Sequence, residues 1–362
     1  MEKDFVPNQN LEYLEEGAVG WKAPSNIALV KYWGKMPHQI PANPSISFTL
    51  DACASRTFVT YKKLEKKKDT FSFDFLFEGQ PKESFTPKLT TFFNRIVPYF
   101  PFLEHYHFKI DSSNTFPHSS GIASSASGMG ALALCLMEIE RKSWPTMPQD
   151  YFDKKASFIA RLGSGSACRS IKGNLVQWGK TSSIEQSSDL FGIHYPYEVH
   201  PTFKNYHDTI LLVHKGQKTV SSTVGHGLMK NHPFAKERFE QAHRNLEELK
   251  PIFKSGDLDA FVNIVESEAL TLHAMMMTSQ PYFILMLPNT LNIIQRIMDF
   301  RKATNIPICF TLDAGANVHV LYPEAEKDKC IQFIQNELVA YCENGHYICD
   351  RVGNGATPLS SK

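Results

Sequence analysis

Polar and apolar residues alternate over SRTFVTYKK (55–63) and TFSFDFLF (70–77), and the second run places Phe71, Phe73, Phe75 and Phe77 on one face. A period of two marks a half-buried strand, so the two runs are expected to pair around the basic turn KLEKKKD. HYHFKID (105–111) alternates in the same way. It leads through the Gly/Ser-rich stretch HSSGIASSASGMG into ALALCLMEIERK, which is almost wholly apolar at its start. That order predicts strand, loop and buried helix.

Between about 181 and 205 Ser, Pro, Tyr and His dominate, before the apolar strand-like TILLVH. A boundary there divides the chain into a domain over 1–205 and a second over 206–362. Further on, Phe239, Ala242, Leu246 and Leu249 fall at i, i+3, i+7 and i+10. This is the stripe of an amphipathic helix, expected to end near Pro251. Ile331, Ile334, Leu338 and Tyr341 repeat the spacing, with Asn344 and Gly345 as a helix stop before the short apolar run HYICDRV. Helices alternating with strands make the fold class α+β.

A chain of 362 residues exceeds the size at which one core stays compact, in keeping with two domains. Lys and Arg total 38 against 37 Asp and Glu, so no global basic field recruits nucleic acid, and any anion site is local. No run approaches the roughly 18 uninterrupted apolar residues of a spanning helix, so no membrane partner is expected. The start MEKDFVPNQN is acidic where a secretory signal is basic and then apolar. Seven scattered cysteines form no CxxC pair, and reduced thiols in the cytoplasm are the simplest reading. His105 and His107 form an HxH pair without a third ligand in reach and read as surface residues. Met275, Met276 and Met277 read as core packing.

Four segments carry candidate chemistry. In PHSSGIASSASGMG (117–130) small residues allow backbone amides to approach an anion at a helix start, and Ser124, Ser125 and Ser127 add hydroxyls. A flexible turn permitting close helix packing is the alternative, since neither GxxxxGK[ST] nor GxGxxG is present. GSGSACRS (163–170) offers Arg169, whose guanidinium can grip a carboxylate or phosphate, or be fixed in a structural ion pair. In APSNIALVKYWGK (23–35) Lys31 occupies an apolar context, where an ammonium needs a carboxylate or anionic ligand unless it snorkels at a strand edge. CFTLDAGANVHVLYP (309–323) sets Asp313 after a strand-like run and before Gly315, at a turn that would expose its carboxylate.

Taken together, NIALVKYWGK, PANPSISFTL, FPHSSGIASSASG, ARLGSGSACRS and FTLDAGANV resemble the mevalonate diphosphate decarboxylases of the GHMP kinase superfamily. VSSTVGHG and SEALTLHA add weaker likeness, and the resemblance spans roughly residues 22 to 322. It implies a two-domain GHMP kinase fold, ribosomal-protein-like in the first half and ferredoxin-like in the second, with the active site between them. It also implies that Pro117, Ser119, Ser120, Gly121, Ala123, Ser124, Ser125 and Ser127 take the phosphates of ATP, with Mg²⁺ at Ser124 and Ser125. Asp313, Lys31 and Arg169 become the catalytic set. Tyr32, Lys35, Ser164, Gly165, Ser166, Arg169 and Ser221 surround mevalonate 5-diphosphate, with Lys88 standing in for an arginine expected near residues 82 to 95. Homodimers are implied as well.

Two departures accompany the likeness. MPHQI, after Lys35, is short and lacks an expected Arg-Asp pair, and Ala316 stands where proline is usual after Asp-Ala-Gly. A plain kinase of the same superfamily, phosphorylating a mevalonate-like alcohol, would need no Lys31 and Asp313 pair at these positions. A non-catalytic nucleotide-binding regulator would have eroded the acid, the lysine or the phosphate loop.

Overall fold

The computed structural model describes residues 2–7, 12, 14–68, 70–117, 122–216 and 222–360, excepting the side chains of 222 and 223. Its first half is a sheet built on two long strands, β1 (Glu16–Val30) and β2 (Ser45–Lys63), which pair antiparallel along most of their lengths. A short hairpin, β3 (Ser72–Phe77) and β4 (Gln80–Pro81), precedes helix α1 (Thr86–Ile96) and strand β5 (Tyr106–Asn114). The expected β2–β3 pairing is corrected here. β5 lies between them, antiparallel to β2 and parallel to β3. A parallel neighbour requires a crossover, and α1 supplies it. The phenylalanine face leading into and along β3 is half-buried under that crossover, Phe71 and Phe73 packing edge-on against Phe93 and Phe75 stacking on Phe85.

Helix α2 (Ser124–Ser143) crosses the face of β1 and β2, and α3 (Gln149–Gly163) covers it. Ala131 to Met137 are buried without interruption because α2 lies between sheet and helix, so no side of it meets water. A short 3₁₀ helix, Gly165–Ser170, then turns the chain into β6 (Leu175–Trp178), which pairs with the first part of β2 and with β7 (Ile193–His194).

The second half is a four-stranded antiparallel sheet made of β8 (His207–Leu211), β9 (Cys309–Thr311), β10 (Val318–Tyr322) and β11 (Tyr347–Arg351), in the order β11-β8-β10-β9. Its helices are α4 (Ser222–Leu228), α5 (Ala235–Ser255), α6 (Leu258–Met277), α7 (Pro288–Thr304) and α8 (Lys327–Phe333). Strand β12 (Thr357–Leu359) returns to the first sheet and pairs with β1. One core cluster is shared by the halves, joining Ile27, Ile46 and Phe48 to Ile210, Leu249, Phe253 and Phe261.

Contrary to the stop expected at Pro251, α5 runs through it for another turn. Proline removes one intrahelical bond, a loss of about 3 kcal/mol. That turn buries Ile252 and Phe253 in the shared core, each worth about 1.5–3 kcal/mol. The expected helix over 331–341 holds its apolar stripe, but α8 passes into a π-helical turn at Ile334–Leu338. Of the methionine run, Met275 and Met276 are buried, whereas Met277 is 39% exposed.

Candidate active site

A cleft of about 220 Å³ opens between the halves, lined by the residues following β1, the start of α2, the Gly163–Ser166 turn, Arg169, α4, α6 and the β9–β10 connection. Lys31 comes immediately after β1 and is 1% exposed. Its Nζ lies 3.1 Å from Oδ1 of Asp313. The lysine backbone is clamped from both sides. Its N–H donates to Oε2 of Glu268 at 2.8 Å, and its carbonyl accepts from Arg238 at 3.1 Å and from Asn43 at 2.9 Å. Arg238 and Glu268 form a fully buried fork-to-fork pair, with contacts of 2.9 and 2.5 Å. Burial pushes the Lys31 pKa down, and the carboxylates of Asp313 and Glu268 oppose that shift.

Asp313 occupies the connection after β9, with 30% of its side chain exposed toward the cleft. Its carbonyl accepts from Gly315 N–H and from Nε2 of His273. Thr290 donates to the carbonyl of Ala316 at 2.7 Å, so this connection is tied down without proline.

Arg169 sits in the 3₁₀ helix after α3 and is 3% exposed. Ser45 accepts from its Nη1 at 2.5 Å and Asn26 from its Nε at 3.3 Å. These contacts fix the guanidinium beside the cleft, where the Asp313 carboxylate acts on it through charge. Tyr32 lies between Trp178 and His226, with ring centroids at 4.7 and 4.3 Å. Its buried hydroxyl has no hydrogen-bond partner among the described residues, and burial pushes its pKa up, so it remains a proton donor. Gly165 must be glycine because a Cβ there would lie 2.9 Å from that hydroxyl. Ser164 and Ser166 line the cleft on either side of it. Lys35 also lines the cleft and donates to Gln39 at 3.2 Å, so a neutral amide stands in the short segment that lacks the Arg-Asp pair.

Ala123 precedes α2 in the left-handed region, at φ 44°, and lines the cleft. Ser124 faces an adjoining cavity of about 280 Å³ walled by Phe75, Phe77 and Phe85, while Ser125 borders both spaces. Lys88 also borders both and donates to Ser125 at 2.9 Å. Ser127 is a correction to the candidate phosphate set. One helical turn in, it is fully buried, and its hydroxyl meets that of Ser55 at 2.7 Å, on the sheet side of α2. Pro117 is exposed and lines neither cavity. Ser119, Ser120, Gly121 and Ser221 lie outside the described residues. Among the described residues no cluster of three or more His, Cys, Asp or Glu forms a metal site.

Two family models cover most of the chain. The diphosphomevalonate decarboxylase-like N-terminal domain matches residues 23–189, and the mevalonate 5-diphosphate decarboxylase C-terminal domain matches 209–356. Diphosphomevalonate decarboxylase of Candida albicans is 30% identical over 327 residues, covering 86% of each chain. The chain belongs to the diphosphomevalonate decarboxylase family. The fold agrees. The mevalonate diphosphate decarboxylase of Enterococcus faecalis superposes with a TM-score of 0.78 at 26% identity, over 95% of this chain and 99% of that one. The enzyme of Legionella pneumophila gives 0.76 at 30%, over 92% and 100%. A structure described as MDDEF in complex with MVAPP, AMPPCP and magnesium gives 0.80 at 28%, over 95% and 99%. The two-domain α+β GHMP kinase fold expected from the sequence is the fold observed.

Within this diphosphomevalonate decarboxylase family member, Lys31, Tyr32, Lys35, Ser164, Gly165, Ser166, Arg169 and Asp313 meet in one cleft although they are drawn from distant parts of the chain. Asn26, Ser45, Arg238 and Glu268 hold them there and were not singled out by sequence reasoning. Asn26 and Ser45 lay inside segments already noted, NIALVKYWGK and PANPSISFTL. Arg238 and Glu268 belong to helices separated by a turn, and no spacing marks them as a pair. Glu268 lay inside SEALTLHA, His226 inside VSSTVGHG and Gln39 inside MPHQI, but nothing marked the individual residues.

Proposed function

We infer that this chain decarboxylates mevalonate 5-diphosphate at the expense of ATP, giving isopentenyl diphosphate, ADP, phosphate and carbon dioxide. The observation that carries the reading is the Lys31–Asp313 contact at 3.1 Å, in the same cleft as a buried Arg169 held by Ser45 and Asn26. Asp313 orients and deprotonates the C3 hydroxyl, Lys31 keeps that carboxylate charged, and the hydroxyl oxygen takes the γ-phosphoryl group. Arg169 holds the substrate carboxylate, which leaves as carbon dioxide. Its electron pair forms the double bond as the C3 phosphate departs. Asp313, 30% exposed, passes the hydroxyl proton on to water, and its restored negative charge then favours the cationic character that develops at C3 during that departure.

The apolar cavity beside the start of α2 suits a nucleoside, with its phosphates directed past Ser124, Ser125 and Lys88 toward the cleft. The two hydroxyls fit a magnesium ion carried mainly by phosphate oxygens and water, an oxygen-rich set that needs no carboxylate cage. Bound with the nucleotide, Mg²⁺ neutralises polyphosphate charge. Residues 1–205 thus supply the phosphate site and 206–362 the catalytic acid.

All seven cysteines are free thiols, which supports a cytoplasmic setting. No described helix is long and apolar enough to cross a membrane. We also propose that a second copy of the chain covers the exposed apolar residues Tyr282, Ile284, Leu287 and Leu291. The direct test of the activity supplies ATP, Mg²⁺ and mevalonate 5-diphosphate and follows ADP and carbon dioxide together. Equal release of both supports the assignment, and ADP without carbon dioxide replaces it with a simple kinase.

A further inference from the structure

His226 belongs to α4, yet its ring lies in the cleft beside the residues that follow β1. Its centroid is 4.3 Å from that of Tyr32 and 4.6 Å from that of Trp33. The helix reaches this position because Gly225 lies against Trp33, where a Cβ would come within 2.5 Å of the indole. The N–H of Gly34 donates to Nδ1 at 3.0 Å. With Nδ1 held as an acceptor, the proton of the neutral imidazole is on Nε2, at the opposite edge of the ring. Among the described residues no hydrogen bond engages that nitrogen.

We propose that His226 is a specificity-determining residue whose Nε2–H donates a hydrogen bond to a phosphoryl oxygen of the diphosphate substrate. The assignment rests on the functional reading above. Lys35 and Arg169 bring positive charge to the same cleft, which makes it a place for an anion. Burial first, then the charges of Lys35 and Arg169, push the His226 pKa down to about 3. The ring therefore stays neutral and contributes a directed N–H without adding another charge. Tyr32 and Trp33 fix its plane, and Gly34 fixes its tautomer.

The test compares His226→Met, which keeps bulk but has no N–H, with His226→Gln, whose amide restores a donor. Losing a hydrogen bond to a charged oxygen should raise the KM for mevalonate 5-diphosphate about tenfold or more in the Met variant. The KM for ATP should move by less than about twofold, and Gln should recover part of the loss. Wild-type protein labelled with ¹⁵N-histidine gives a readout that does not depend on variants folding. Its Nε2–H signal should move downfield on titration with inorganic pyrophosphate as well as with mevalonate 5-diphosphate. The pyrophosphate titration reads the site without turnover, so a protein that shows this shift but releases no carbon dioxide would refute the activity and keep the donor. An unmoved signal with both ligands would overturn the proposal, as would a shift produced by mevalonate but not by pyrophosphate.

Discussion

Asp313→Asn keeps the shape of the side chain and removes the countercharge of a lysine that is 1% exposed. At 3.1 Å the direct attraction is worth about 5 kcal/mol at an effective dielectric constant near 20. Three features reduce the net cost. Water reaches a carboxylate that is 30% exposed, Glu268 offers a second negative charge, and Lys31 can shed its proton. The net loss of stability should be about 1–2 kcal/mol, read as a fall in melting temperature of a few degrees. Turnover should fall far more steeply, by roughly 10²–10⁴-fold, because the base beside the reacting hydroxyl is gone. The KM for ATP should stay close to that of the wild type. Coupled release of ADP and trapping of carbon dioxide measure the activity, and thermal melts of the same samples measure the stability. A variant turning over within about tenfold of wild type would refute the role given to Asp313.

The same pair predicts a dependence on pH. Burial lowers the Lys31 pKa in the folded chain, so the unfolded chain binds the extra proton over the window between that value and the ordinary one near 10.4. Stability therefore gains from this group as pH rises through that window. Removing Asp313 lowers the folded pKa further. Below the lowered folded pKa, where Lys31 is charged in both proteins, the variant bears the full loss of the pair. As pH rises and the native lysine sheds its proton in both proteins, the stability gap should close. A gap that widens between about pH 6 and about pH 10 would contradict the argument.

Three further outcomes are expected. Glu268→Ala leaves Arg238 buried and unpaired and should cost about 3–5 kcal/mol in urea unfolding, with much of it recovered when Arg238→Met is added; a loss below about 1 kcal/mol would remove the clamp from the account of Lys31. Lys88→Ala should raise the KM for both ATP and mevalonate 5-diphosphate by about tenfold, since Lys88 borders both cavities, and unchanged values for both would exclude it from the site. Ile284→Lys, placing charge at a side chain that is 61% exposed, should convert a sedimenting dimer to monomer, and a wild type that sediments as a monomer would end the proposal of self-association.

The sequence by itself determined the α+β class, the buried helix after a Gly/Ser-rich loop, and the segments that bear the chemistry. These are local properties. A period of two or of 3.6 and a run of small residues before a helix are all written within a few consecutive positions. The likeness to a known family added what no single segment could, namely the expectation that Lys31, Arg169 and Asp313 act together. The tertiary structure decided whatever depends on distance through space. Which strand lies beside β2 was settled by the α1 crossover, which the alternation of Phe71 to Phe77 cannot encode. The continuation of α5 past Pro251 was settled by a core that draws on both halves. Ser127 turned toward Ser55 because a helical turn carries it to the sheet side of α2. Glu268 and Arg238 grip Lys31 across more than 200 residues, and His226 reaches Gly34 across 192. Such contacts leave no period in the chain, because packing chooses partners by shape and charge in three dimensions.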